Sequence, residues 1–337
     1  MTSALQASVV VPTYNRPEML EECVRALVAQ APDTPAYEVI VVDDGSRVDL
    51  GSHLESLTGA ARRVRYVRHD TNRGRSATRN TGIDLAEGEV VLLVDDDVVV
   101  SPRYVAAHLA VHQAAGDAHV VVIGNLSFPP EVVQGSNYAR YLQSRYLGYR
   151  RPGDRRGIDL ANLHPRFVIS AVASMRREDL RRHVPFDAAM RSYGCEDSVA
   201  GRRLTEQGLR IVFAPKATAI HRDSVAVLWH RSKMLETARD GVPVLLQHYP
   251  DFLDDTAFQS LLPVDWSTEP PGRILRKVLT RALLNPATLW VLERWAKTTD
   301  GMPGLYVHAV YRALNAGWFL RGRRMRRDGQ PLVVYGS

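Results

Sequence analysis

The chain has 337 residues, 45% of them apolar and 24% charged, with 23 Gly, 19 Pro and only two Cys, which excludes a disordered, collagen-like or disulfide-stapled protein. The formal net charge of +6 is unevenly placed: from Gly272 to Ser337 twelve Lys and Arg stand against three acids, a net of +9, leaving −3 on residues 1–271. Basicity confined to one end, with no recognised DNA or RNA motif, excludes nucleic acid as the expected partner.

The first hundred residues alternate between two periods. Ser8–Pro12 (SVVVP) reads as a buried strand, and Pro17–Ala31 as a helix with Leu20, Val24, Leu27 and Val28 on one face and Pro17 in its first turn. Tyr37–Val42 is a second strand, Val64–Val67 a third, Ser76–Ala86 a helix and Glu89–Val94 a fourth strand. Continuous apolar strands between helices imply an α/β fold with a mostly parallel sheet covered on both faces. Further on, the pattern predicts a helix near Tyr138–Tyr146, a loop Arg150–Gly157, a strand Phe167–Val172 and a helix Arg177–Arg182. A helix Ser198–Gln207 closed by Gly208 comes next, then strands Leu209–Phe213 and Ala217–Ile220, the latter leading to His221.

Ligands of such sheets bind beyond the C-terminal ends of the strands. The residues there are Thr13–Arg16 (TYNR), Asp43–Ser46 (DDGS) and Asp95–Asp97 (DDD), which should gather on one edge. Three consecutive Asp repel one another at close range and call for a counter-charge, most simply a divalent cation. Carboxylate oxygens suit Mg²⁺ or Mn²⁺.

Five segments then carry a resemblance. Val10–Arg16 (VVPTYNR), Val41–Ser46 (VVDDGS), Asn72–Gly82 (NRGRSATRNTG), Leu93–Val98 (LVDDDV) and Tyr193–Ser198 (YGCEDS), with Arg203, Leu204 and Gly208 behind the last, follow the order of inverting family 2 glycosyltransferases. The resemblance spans about Ser8 to His221 and implies a GT-A fold with a C-terminal helical extension. It divides the chain into 1–128, a nucleotide-sugar-binding half, 129–230, the acceptor-binding and catalytic half, and 231–337, the basic helical extension.

By resemblance, Pro12, Thr13 and Tyr14 line the nucleobase pocket, Arg16 and Asp43 flank it, and Asp44 accepts a hydrogen bond from the base. Arg75 and Arg79 lie beside base and phosphates, and Asp95, Asp96 and Asp97 form an Asp-X-Asp motif. Asp97 binds the metal, Asp95 or Asp96 holds ribose or cation, and His221 completes the metal site. The cofactor is then Mn²⁺ or Mg²⁺, stabilising charge on a nucleoside diphosphate leaving group. Asp197 is the candidate general base, with Glu196 orienting the acceptor or exchanging roles with it. As the residue before a helix Asp197 would equally serve as an N-cap, where the helix terminus lowers a carboxylate pKa. The sequence departs from the family at Cys195, where an aromatic is common, and at Val172, where Asn is common.

The implied reaction moves a sugar, most simply from a UDP-sugar, to the hydroxyl of a glycan, a lipid-linked acceptor or a small molecule. Two other readings stand beside it. A sugar-nucleotide nucleotidyltransferase needs a Gly-rich loop after the first strand, where this chain has Pro12–Arg16 (PTYNR), and a non-catalytic binding or scaffold protein does not need Glu196 and Asp197.

Cysteine usage and an N-terminus (MTSALQAS) without basic and apolar leader regions lead to a cytoplasmic expectation. No run reaches the ~18 apolar residues of a membrane span. In the tail, Ile274, Leu275, Val278, Leu279, Ala282 and Leu283 keep helical spacing among Arg273, Arg276, Lys277 and Arg281. Such helices either pack on the domain or a second subunit, the expectation favoured here because apolar stripes need burial, or lie on the inner face of an anionic membrane.

Overall fold

The structure is a computed structural model that describes residues 5–52, 54, 63–149, 157–183, 186–188, 190, 193–254 and 257–329. Of the expected loop Arg150–Gly157, only Gly157 lies within the described residues. The chain forms two compact units, one of residues 1–129, 144–191 and 196–223, the other of 130–143, 192–195 and 224–337.

The first unit is built on eight strands: β1 (Ala7–Thr13), β2 (Tyr37–Asp43), β3 (Arg63–Arg68), β4 (Val90–Val94), β5 (Val98–Val100), β6 (Val120–Ser127), β7 (Val172–Arg176) and β8 (Arg210–His221). They make one sheet in the order β3-β2-β1-β4-β7-β6-β8-β5. The strands β1 to β4 are parallel, β6 pairs β8 in parallel, and β7 and β5 run antiparallel to their neighbours. Every residue of β2 and β4 is buried, which is why these strands read as unbroken apolar runs rather than alternating ones.

Helices Pro17–Val28, Arg75–Leu85 and Tyr104–Ala115 complete the strand–helix alternation. Gly82 lets the second approach β1 closely, since a Cβ there would stand 2.2 Å from Val10 Cγ1. Behind β2, Gly45 takes φ +78°, the left-handed turn that sends the chain away from the sheet edge.

Two expectations need correction. Phe167–Val172 is not a strand: Pro165–Phe167 forms a short 3₁₀ turn, capped by His164 Nδ1 accepting from Arg166 N–H, and β7 begins only at Val172. The strands expected at Leu209–Phe213 and Ala217–Ile220 are one strand, β8, which bulges opposite β6 where Gly124 pairs Ala214 and Asn125 pairs Thr218.

The second unit is helical: Pro130–Gly135, Asn137–Gln143, Val227–Glu236, Val242–His248, Pro271–Leu283, Pro286–Thr299 and His308–Arg327. Its centre is aromatic, with Tyr138, Tyr311, Trp318 and Phe319 fully buried. Asp300 holds Asn137–Gln143 in place, accepting from Ser136 Oγ and Tyr138 N–H, both at 2.8 Å. Glu293 accepts from Trp318 Nε1 at 2.6 Å and from Arg231 at 3.3 Å.

Candidate active site

The parallel strands β1, β2 and β4 deliver their C-terminal turns to one edge, as the sequence requires. Thr13 lies opposite Asp43, and the turns are sewn together: Ser46 Oγ donates to Asp43 Oδ1 at 2.6 Å and accepts from Asn15 N–H at 2.8 Å. Asp43 is wholly buried, with Tyr66 Oη donating to its other oxygen at 2.7 Å. Asp44 is 4% exposed and takes the N–H groups of Arg73 and Gly74, each at 2.8 Å, with His69 Nδ1 at 2.9 Å. Both carboxylates shape the edge, and their hydrogen-bonding capacity is largely taken up by the chain itself. Pro12 and Tyr14 are half-buried, while Arg75 is exposed at the start of its helix.

The three aspartates have different partners. Asp95 Oδ1 meets Arg79 Nη2 at 2.8 Å, and Asp96 accepts from Thr13 Oγ1 at 2.8 Å and from Arg16 at 3.3 Å. Asp97 Oδ2 meets the same Arg16 nitrogen at 2.8 Å. Two arginines therefore supply counter-charge that the sequence reading assigned to a cation, so mutual repulsion alone does not demand a metal. Burial works to lower the Arg16 pKa, but Asp96 and Asp97 outweigh it and the group is held above its ordinary value. Asp96 is itself pushed up to about 7, chiefly by burial and against the pull of Arg16.

A metal reading rests instead on a group the sequence reading found only in part. Antiparallel pairing of β5 with β8 sets His221 opposite Val98, and Arg222 N–H donates to Asp97 C=O at 2.7 Å. His221 Nε2 thereby comes 3.3 Å from Asp97 Oδ1. With Asp223, whose side chain is buried, they form a triad whose ligand atoms all lie within 4.8 Å of one another. Asp95 is not part of it.

Asp223 was missed, although an acid two residues beyond His221 shares the face of an extended segment. Two carboxylates and an imidazole match Mn²⁺ well, and Mg²⁺ on the oxygen side. The His221 Nδ1 lies 3.2 Å from Tyr146 Oη, and Phe128 stacks on the ring at 5.5 Å, which fixes its orientation with Nε2 toward the acids.

The helix expected at Ser198 starts at Glu196 and runs to Glu206, so Asp197 lies in its first turn rather than capping it. The expected lowering of its pKa does not occur. Burial and the neighbouring Glu196 outweigh Arg79 and push Asp197 up to about 6. Arg79 joins the two acidic groups. It is 2% exposed, faces Asp95 at 2.8 Å and Glu196 at 3.9 Å, and feels the charge of Asp197, which together outweigh burial and keep it protonated.

The profile of the family described as "Glycosyl transferase family 2" matches residues 8–184. Glycosyltransferase AglE of Haloferax volcanii is 28% identical over 223 residues, 66% of this chain and 68% of that protein. Validoxylamine A glucosyltransferase of Streptomyces hygroscopicus subsp. jinggangensis is 28% identical over 233 residues, 63% of this chain, which spans only 54% of that enzyme.

Among solved structures, the mannosyltransferase PcManGT of Pyrobaculum calidifontis, in complex with GDP-Man and Mn²⁺, superposes with a TM-score of 0.61 at 17% identity over 98% of this chain and 89% of that one. A profile match across more than half of the chain, on a sheet whose acidic strand ends meet at one edge, means that this protein belongs to glycosyl transferase family 2 and carries the GT-A fold.

Proposed function

We propose that the chain transfers a sugar with inversion from a nucleoside diphosphate sugar, in the first instance a UDP-sugar, to an acceptor hydroxyl. The observation that carries this reading is the meeting of Asp95, Glu196 and Asp197 around the buried Arg79, which couples the expected donor side of the site to the expected base. In one displacement the acceptor oxygen bonds to the anomeric carbon, the bond from that carbon to the diphosphate oxygen breaks, and Asp197 takes the acceptor proton. A base with a pKa of about 6 is ionised at neutral pH yet basic enough to help as the proton becomes acidic in the transition state. Glu196, beside it, orients the acceptor.

Asp97, His221 and Asp223 would hold Mn²⁺ or Mg²⁺, which when bound stabilises the charge that develops on the leaving diphosphate. Asp95 and Asp96 serve the ribose and diphosphate, with Arg75 at the outer edge. Pro12, Thr13, Tyr14 and Arg16 form the nucleobase side, braced by Asp43 and Asp44. The absence of a Gly-rich loop after β1 weighs against the nucleotidyltransferase alternative.

A donor screen tests the proposal: UDP-, dTDP- and GDP-sugars with Mn²⁺, followed by NMR of the anomeric proton in substrate and product. Transfer from a UDP-sugar with inverted configuration is expected. Retention of configuration, or nucleotidyl transfer to a sugar phosphate, would refute it.

A further inference from the structure

The helix Pro271–Leu283 is inside out. Its one buried side chain is a lysine, Lys277, 2% exposed, whereas Leu275, Val278, Leu279 and Leu283 are 58%, 41%, 51% and 68% exposed. The inward face is held by cations on oxygen: Lys277 Nζ donates to Pro263 C=O at 2.7 Å and also meets Glu269, while Arg281 donates to the carbonyls of Leu261 and Leu262. The stripe expected to pack therefore points into solvent. The next helix also exposes large apolar side chains, Trp290 and Val291, 63% and 54% exposed. A groove of about 390 Å³ opens beside it, its lining including Leu289 and Trp290 with Arg321 and Arg324 against Glu293 and Asp328.

Charge on this stretch is sorted by sign. Between Pro271 and Arg327 no acid is exposed: Glu293 is buried on Trp318 and Arg231, and Asp300 is turned inward onto Ser136 and Tyr138. The exposed ionised groups there are all cations, among them Arg273, Arg276, Arg294 and Lys297.

We propose that the helices Pro271–Leu283 and Pro286–Thr299 form a face that docks on an anionic lipid bilayer, with the leucines and Trp290 entering the headgroup boundary and the arginines meeting lipid phosphates. Exposed apolar side chains on helices whose own exposed charges are all cationic, with acids only beyond their ends at Asp265 and Asp328, satisfy both requirements of such binding, apolar area and attraction to anionic lipid. Two copies of this chain meeting on the same face would set cation against cation, which disfavours a symmetric dimer there. No helix among the described residues is long and apolar enough to cross a membrane, so the contact is peripheral. The inference goes beyond the proposed reaction and is independent of it.

The test is co-sedimentation of the full chain with vesicles of phosphatidylcholine alone and of an equimolar phosphatidylcholine–phosphatidylglycerol mixture, at low and high salt. Binding to the mixture, lost with salt and absent from pure phosphatidylcholine, is expected. Leu275→Asp with Leu279→Asp should abolish binding, and since both sites are exposed the variant should keep its circular dichroism and melting temperature. Arg273→Gln with Arg294→Gln, which leaves the apolar stripe intact, should weaken binding about 30-fold, from about 1 kcal/mol per base.

No binding to the mixture, or equal binding to both vesicles, overturns the proposal. So does a dimer in vesicle-free sedimentation that the double Asp variant makes monomeric.

Discussion

Asp197→Asn should make the protein more stable at neutral pH while nearly silencing it. The carboxylate is raised from 3.8 to about 6, so its folded-state pKa lies above its unfolded one. A group shifted in that direction contributes stability that is complete below about pH 4 and is lost as pH rises through about 6. Above neutrality wild type therefore carries an ion its surroundings penalise, and asparagine does not. A rise from 3.8 to about 6 corresponds to an upper bound of about 3 kcal/mol. Asp197 keeps some solvent contact and shares its charge with Glu196 and Arg79, which cuts the expected gain to about 1–2 kcal/mol.

Urea unfolding of both proteins across the acid-to-neutral range is the assay. The variant and wild type should coincide near pH 4 and diverge in the variant's favour toward about pH 7, while turnover falls by roughly 10²-fold or more. A variant less stable than wild type at neutral pH would show that the attraction of Arg79 outweighs burial, reversing the account of this carboxylate. Near-normal turnover would remove Asp197 as the base.

Other consequences of the same geometry are open to measurement. Mn²⁺ should raise the melting temperature of wild type with UDP present, His221→Ala should remove that effect, and Tyr146→Phe, which removes only the group behind the imidazole, should weaken Mn²⁺ about tenfold. Because Arg16 and Arg79 already compensate the aspartates, EDTA should leave the melting temperature of the nucleotide-free protein unchanged, and a fall of several degrees would contradict that compensation.

His108 and His112 are buried on Ser174 Oγ and, chiefly by desolvation, pushed down to about 3 and about 4. Their folded pKa values are depressed, so stability should fall as pH drops from about 6.5 toward about 4, and His108→Gln with His112→Gln should flatten that limb in urea titrations.

What the sequence made legible follows from burial. The strands β1, β2 and β4 are enclosed on both faces, so their apolar runs are unbroken and their polar ends stand out as the candidate site. The Asp223 contribution was not legible in the same way, because it depends on β5 pairing back onto β8, a contact between residues more than a hundred positions apart. Nor does the acidic triplet reveal its partners: Arg16 and Arg79 look alike in the sequence, and only the fold assigns one to Asp96 and Asp97 and the other to Asp95. In Pro271–Leu283 periodicity gave the helix and its two faces correctly. It could not give their direction, since a stripe of leucines and a stripe of cations repeat with the same period and the inward one is decided by which oxygens wait for Lys277 and Arg281.

The two arginines of the acidic edge also bear on how the site works. A carboxylate cluster that depended on a divalent cation for its own stability would bind that cation permanently and spend its charge on folding. Here Arg16 and Arg79 neutralise the aspartates beforehand, so the edge is assembled before any ligand arrives. On the proposed reading, a diphosphate would add the oxygens that two carboxylates and one imidazole leave wanting around a cation. Metal and donor should bind together more tightly than either alone, because each completes the other's coordination. If Asp197 is the base we propose, Arg79 extends this coupling to it: charge that alters Asp95 would alter the field at Asp197 through one guanidinium, and occupancy of the proposed donor side would tune the proton acceptor.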